Sequence, residues 1–179
     1  MGLRLAIDGY NLLCAISGHN LGGSDFDDER ELLIERLISY KKFKRARITI
    51  VFDGTHSGKL QRGKENHSGL QVIFSRGGEL ADDVLKEMAK DIGSGLTIVT
   101  SDRDVAHFAE NQNAIVIPSN EFAYLLDESE YALAKGIEGD GELGDLEEED
   151  EAPTFGKKKG PSRRTPKEER RKKARIKKL

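Results

Sequence analysis

Hydrophobic residues along the chain collect into five short runs, at 3–7, 48–52, 70–74, 96–99 and 114–117, rich in Val and Ile and nearly continuous. Runs of that length and composition suit strands buried on both faces. Between them the apolar positions take helical spacing: Leu33, Ile34, Leu37 and Ile38; then Ala81, Val84, Leu85, Met88 and Ile92; then Val105, Phe108, Ala109 and Gln112. Strands alternating with amphipathic helices predict an α/β fold, a parallel sheet sandwiched by helices. The helix expected over 27–45 carries Asp27, Asp28 and Glu29 in its first turn and Lys41, Lys42, Lys44 and Arg45 in its last, matching the macrodipole at both ends. A last helix, over 120–135, closes the domain.

Two stretches break this alternation. Residues 54–69 hold Gly, His, Lys, Arg and Asn with almost nothing apolar, and are expected to form a long exposed loop between two strands. After Gly136 the sequence turns Gly-rich and acidic, so a domain over 1–136 and a disordered charged tail over 137–179 are predicted. A length of 179 residues fits one domain plus such an appendage. Within the tail, 138–151 carries nine acids and no base, whereas 157–179 carries 13 bases and two acids, so the net charge of −3 says little about partners. Thr165-Pro166-Lys167-Glu168 has the form of a helix start, expected to fold only when phosphates neutralise the basic run behind it.

Other classes drop out. No run approaches the ~20 apolar residues of a membrane span, so a soluble, cytoplasmic protein is expected. Cys14 is the one cysteine, which rules out an intramolecular disulfide, and a packing role suits it better than a nucleophile's. The turn after the first strand, Asp-Gly-Tyr-Asn-Leu-Leu, lacks the dinucleotide glycine fingerprint, and no Walker lysine loop occurs, so no nucleotide cofactor is expected.

The candidate chemistry lies in acids at strand ends. Asp8 follows the first strand, Asp53 the second and Asp102 the fourth, while Glu79 and Asp82 follow the third at the start of its helix. In open parallel sheets ligands bind at that edge. Acids converging there repel unless a cation neutralises them, and hard oxygen ligands suit Mg²⁺ or Mn²⁺. At about 100° per residue, Asp82 falls beside the apolar stripe of its helix and Asp83 nearly opposite; Asp102 falls near the inward side of the next helix and Asp104 further round. Each acid also has a local explanation as a helix cap or turn residue. Asp8 has the weakest one, since a charge ending a buried strand needs a partner to offset its desolvation.

Ile-Asp-Gly-Tyr-Asn (7–11), Val-Phe-Asp-Gly (51–54), Gly-Glu-Leu-Ala-Asp-Asp (78–83) and Thr-Ser-Asp (100–102) resemble, in that order, the YacP-like NYN domain within the PIN-like nucleases. The likeness covers about 3–133 and leaves the tail outside. It implies a PIN-like three-layer sandwich with a five-stranded parallel sheet of order 3-2-1-4-5. It also implies Mg²⁺ or Mn²⁺ dependence and endoribonuclease activity that leaves a 5′-phosphate and a 3′-hydroxyl, on ribosome-associated RNA in some members. By position, Asp8, Asp82 and Asp102 resemble the metal-binding acids, and Asn11 a site asparagine that holds Asp8 or the scissile phosphate. Asp53, Glu79 and Asp104 are expected to support them. Phosphate contacts are expected from His56, Lys59, Arg62 and Lys64 of the 54–69 loop, with Arg76 and Arg103 at the rim. The alternatives are a non-catalytic RNA-binding or ribosome-associated adaptor and a structure-specific DNA nuclease.

Overall fold

A computed structural model describes residues 2–18, 26–54 and 62–137. Five strands run parallel: β1 (Arg4–Asp8), β2 (Arg47–Phe52), β4 (Leu70–Phe74), β5 (Thr97–Val99) and β6 (Ile115–Ile117). A sixth, β3 (Gly63–His67), pairs antiparallel with β4, giving the order β3-β4-β2-β1-β5-β6. Leaving β3 aside, this is the expected order 3-2-1-4-5.

β3 corrects the expectation of an unbroken loop over 54–69. Its Gly-Lys-Glu-Asn-His sequence pairs on one side only and is mostly exposed, so it needs no hydrophobic run and leaves no hydrophobic signal. Ser68 and Gly69, with φ of 51° and 80°, form the two-residue turn that returns the chain into β4, and Asn66 accepts the Gly69 N–H at 2.8 Å. Positive φ at both central positions gives the turn the twist that hairpins favour.

Helices cover both faces. On one side α1 (Gly9–Ser17), α2 (Phe26–Lys44) and α5 (Ser119–Ala134) bury Leu12, Leu37, Tyr40, Phe122 and Leu126 against Leu5, Ile7, Ile48 and Ile50. On the other, α3 (Ala81–Ile92) and α4 (Arg103–Asn111) bury Val84, Leu85, Val105 and Ala109 against Ala6, Val51 and Ile98. Tyr40 and Phe122 meet edge to face at 5.2 Å, and Arg36 ties α2 to Asp127 and Glu130 of α5. Among the described residues no helix is long and apolar enough to cross a membrane. The tail beyond Ile137, with its proposed conditional helix, lies outside the described residues.

β1 passes into α1 without a loop. Gly9 makes this possible, because a Cβ there would lie 2.3 Å from a ring carbon of fully buried Phe52. The stretch taken as a turn in the sequence is thus the first turn of a helix, and Asp8 stands at its N-terminus.

Candidate active site

Asp8 ends β1 and caps α1. Its Oδ1 accepts the Asn11 backbone N–H at 3.1 Å, and its Oδ2 accepts the Asn11 amide at 2.6 Å and the Thr100 hydroxyl at 3.2 Å. The residue is 4% exposed. Burial pushes its carboxyl above the usual range; the hydrogen bonds from Asn11 and Thr100 oppose that shift, and the charge of Asp102 adds to it.

Asp102 performs the matching task one crossover away. It caps α4 with Oδ1, which accepts the Asp104 and Val105 N–H groups at 2.8 and 2.9 Å. Its own N–H donates to Thr100 Oγ1 at 3.1 Å. Thr100 is buried and its backbone N–H is held by Ile117. With one proton to give, its hydroxyl accepts from Asp102 and donates to Asp8, so a single side chain fixes the two acids relative to each other. In the sequence Thr100 stands out only as a neighbour of Asp102. The signal available was a hydroxyl two residues before a strand-end acid.

Asp82 arrives from the first turn of α3, half-buried. Its carboxyl is also pushed up, by burial first, then by the charges of Asp102 and Asp8, with Lys86 opposing. Asp8, Asp82 and Asp102 therefore share one electrostatic environment. Among the described residues, however, no three His, Cys, Asp or Glu side chains form a ready-made metal cage. The donor set itself fits a hard cation: carboxylate oxygens only, two of the three held above the usual range by burial first and by the neighbouring acids' charge second.

The remaining acids fall elsewhere. Asp83 is exposed and accepts the Leu80 N–H at 3.2 Å, bracing the start of α3. Asp104 is exposed on α4. Asp53 lies beside Tyr10 and Ser75: its carbonyl faces the Tyr10 hydroxyl at 3.5 Å and its Oδ1 lies 3.2 Å from Ser75 Oγ. Buried Ser75 accepts the Gly54 N–H and donates to the Glu79 carbonyl, tying the end of β2 to the approach to α3.

Glu79 and Arg62 were expected in different roles, as a supporting acid and a phosphate contact. The structure pairs them: Arg62 grips both Glu79 oxygens, at 2.9 and 2.6 Å, and reaches Glu87 at 2.5 Å. Arg62, and secondarily the Arg76 N–H, hold the Glu79 carboxyl down to about 2. In this structure each of these two charges is matched by the other. Lys64 is exposed on β3, and Arg76 and Arg103 are exposed near the rim. His56 and Lys59 lie outside the described residues.

A family model for the YacP-like NYN domain matches residues 5–177. The chain belongs to the YacP-like NYN domain family. The match runs through the charged tail, so the limit near residue 133 drawn from the motifs was too narrow. This family is of the PIN-like nuclease class, which gives the rim of acids a nuclease-type setting. The uncharacterized protein YacP of Bacillus subtilis (strain 168) is 29% identical over 102 residues, 55% of this chain and 59% of its own length. The NYN chain thus spans well under two thirds of that curated relative. Two crystal structures of Rae1 (YacP) from Bacillus subtilis share the fold. One superposes with a TM-score of 0.62 at 26% identity over 76% of this chain and 80% of its own. The other, a point mutant, gives 0.63 at 24% over 74% and 80%.

Proposed function

We propose that this NYN protein is a metal-dependent endoribonuclease that hydrolyses RNA phosphodiester bonds, with ribosome-associated RNA in the cytoplasm as its substrate class. The observation that carries the reading is the shared field of Asp8, Asp82 and Asp102, three acids from separate segments at the carboxyl edge of the sheet. A buried Asp8 beside two half-buried acids costs stability in the metal-free protein, a cost that a cation site accounts for.

In this reading Asp8, Asp82 and Asp102 hold Mg²⁺ or Mn²⁺, which supplies, when bound, a polarised phosphate and a water acidic enough to attack at neutral pH. Asn11 and Thr100 hold the Asp8 carboxylate in one orientation, and Thr100 sets Asp102 against it. Exposed Arg76 and Arg103 take phosphates flanking the cut. Water adds to phosphorus and gives up one proton, the bond to the 3′ oxygen breaks, and that oxygen takes up one proton, so the two transfers balance.

A non-catalytic RNA-binding reading draws on a specific fact, that the described acids do not form a ready cage. One experiment separates the two. Wild type and Asp8→Asn are incubated with labelled single-stranded RNA and DNA, with Mg²⁺, Mn²⁺ or EDTA. Cleavage of RNA by wild type with either metal, lost in EDTA and in Asp8→Asn, is expected. Binding without cleavage under every condition would establish the adaptor, and cleavage of DNA alone would establish the DNA nuclease.

A further inference from the structure

The pole of the sheet opposite the acids carries a second feature. Lys-Lys-Phe-Lys-Arg-Ala-Arg at 41–47 sets five cations in seven residues with no acid, where α2 ends and β2 begins. Beside it, Arg4 opens β1 in direct register with Arg47, and the Arg47 N–H donates to the Leu3 carbonyl at 2.8 Å. Register partners on parallel strands project to the same face from backbones about 4.8 Å apart. Two guanidinium groups therefore start from neighbouring positions on one face.

The helix dipole accounts for the lysines at the end of α2 but not for Arg4 and Arg47, which sit on strands. Two other cations of the run have local partners: Lys41 donates to the Ser68 carbonyl at 2.9 Å, and Lys44 lies over the Phe43 ring within the field of Glu128. Arg4, Lys42 and Arg47 are exposed, and among the described residues none of them forms an ion pair. Like charges in register repel, so a fold that keeps them together unmatched gains from an anion that spans them. The planar fork of arginine matches phosphate oxygens in pairs.

We propose that Arg4 and Arg47, with Lys42 on the α2 side of the same pole, form a second RNA contact, taking the backbone of a folded RNA at the pole remote from the acids. The proposal rests on the reading that RNA is the substrate and deepens it. Four residue steps along β1 take the chain from Arg4 to Asp8, about 13 Å through the core, and the way round the outside is longer. An RNA large enough to wrap the domain engages both sites at once, whereas an oligonucleotide shorter than the path between them engages the rim alone.

The test compares full-length wild type with an Arg4→Gln/Lys42→Gln/Arg47→Gln variant. Binding of a 40-nucleotide hairpin RNA is measured against salt in EDTA, and cleavage of the hairpin and of a pentanucleotide in Mn²⁺. Losing three phosphate contacts should flatten the salt slope by about 2.1–2.7, so a fourfold rise in salt weakens the variant about 20- to 40-fold less than wild type. Hairpin KM should rise with kcat unchanged, and pentanucleotide cleavage should not move. An Arg4→Lys/Arg47→Lys variant, which keeps the charge, should keep most of the slope. An unchanged slope in the triple variant overturns the proposal. That result is also expected if the acidic 138–151 segment, and not RNA, covers this pole. Absence of cleavage of both RNAs by wild type would instead count against the nuclease reading and leave the binding result to decide the surface.

Discussion

Thr100 stands between Asp8 and Asp102 with its single hydroxyl engaged to both, accepting from one main chain at 3.1 Å and donating to the other's carboxylate at 3.2 Å. Two acids that the chain separates by more than ninety residues are thereby set by one side chain whose own backbone is anchored on β6.

Thr100→Val should therefore lower turnover by about 10- to 100-fold while leaving KM for a short RNA nearly unchanged. It strips one partner each from a buried acceptor and a nearby N–H, which costs about 1–3 kcal/mol. Thr100→Ser should restore most of the loss, since it returns the hydroxyl. Equal activity in Val and Ser variants would show that the bridge does not matter.

Asp82 binds its proton more tightly in the folded chain than when unfolded, because burial and the charges of Asp102 and Asp8 disfavour its ionised form. An acid raised in this way destabilises the fold at neutral pH, and the penalty fades as pH falls through the folded value. Asp82→Asn should consequently raise the Tm of the metal-free protein at pH 7 by about 1–3 °C and lower cleavage sharply. A fall in Tm would contradict the crowding described for this site.

Glu79 shifts the other way. Its folded value of about 2 lies below the ordinary 4.5, so stabilisation by Arg62 is complete above about pH 4.5 and is lost as pH falls towards 2. Urea unfolding at pH 7, 4 and 3 should show wild type losing stability across that window. Glu79→Gln should be weaker at pH 7 and change less on acidification. Parallel pH profiles for the two proteins would show that the ion pair does not control this limb.

Gly9→Ala places a methyl 2.3 Å from the ring of fully buried Phe52. A loss on the order of 2–3 kcal/mol is expected, typical of overpacking. Adding Phe52→Leu should recover part of it, a non-additivity that thermal melts of the four proteins in the cycle measure directly. Simple additivity would place the cost of the alanine elsewhere.

The buried strands and the helices α2 to α5 are legible in the sequence because each carries its own pattern of apolar positions. Strands covered on both faces must be apolar throughout, and helices must show one apolar stripe. β3 was not legible, since an exposed edge strand imposes no hydrophobic pattern. α1 was missed because Asp-Gly-Tyr-Asn reads locally as a turn, and only the approach of Gly9 to Phe52 explains why the chain enters a helix at once. The position of each acid in sequence located Asp8, Asp82 and Asp102 at the ends of their elements and turned Asp83 towards solvent.

What those acids meet was decided by the tertiary structure alone. Glu79 and Arg62, 17 residues apart, neutralise one another because β3 brings the arginine to the foot of α3. Thr100 becomes the link to Asp8 because β5 lies next to β1. A sequence fixes which residue types lie at the end of each element, through local periodicity. Which charges share a space depends on strand order, and that is set by packing between segments far apart in the chain.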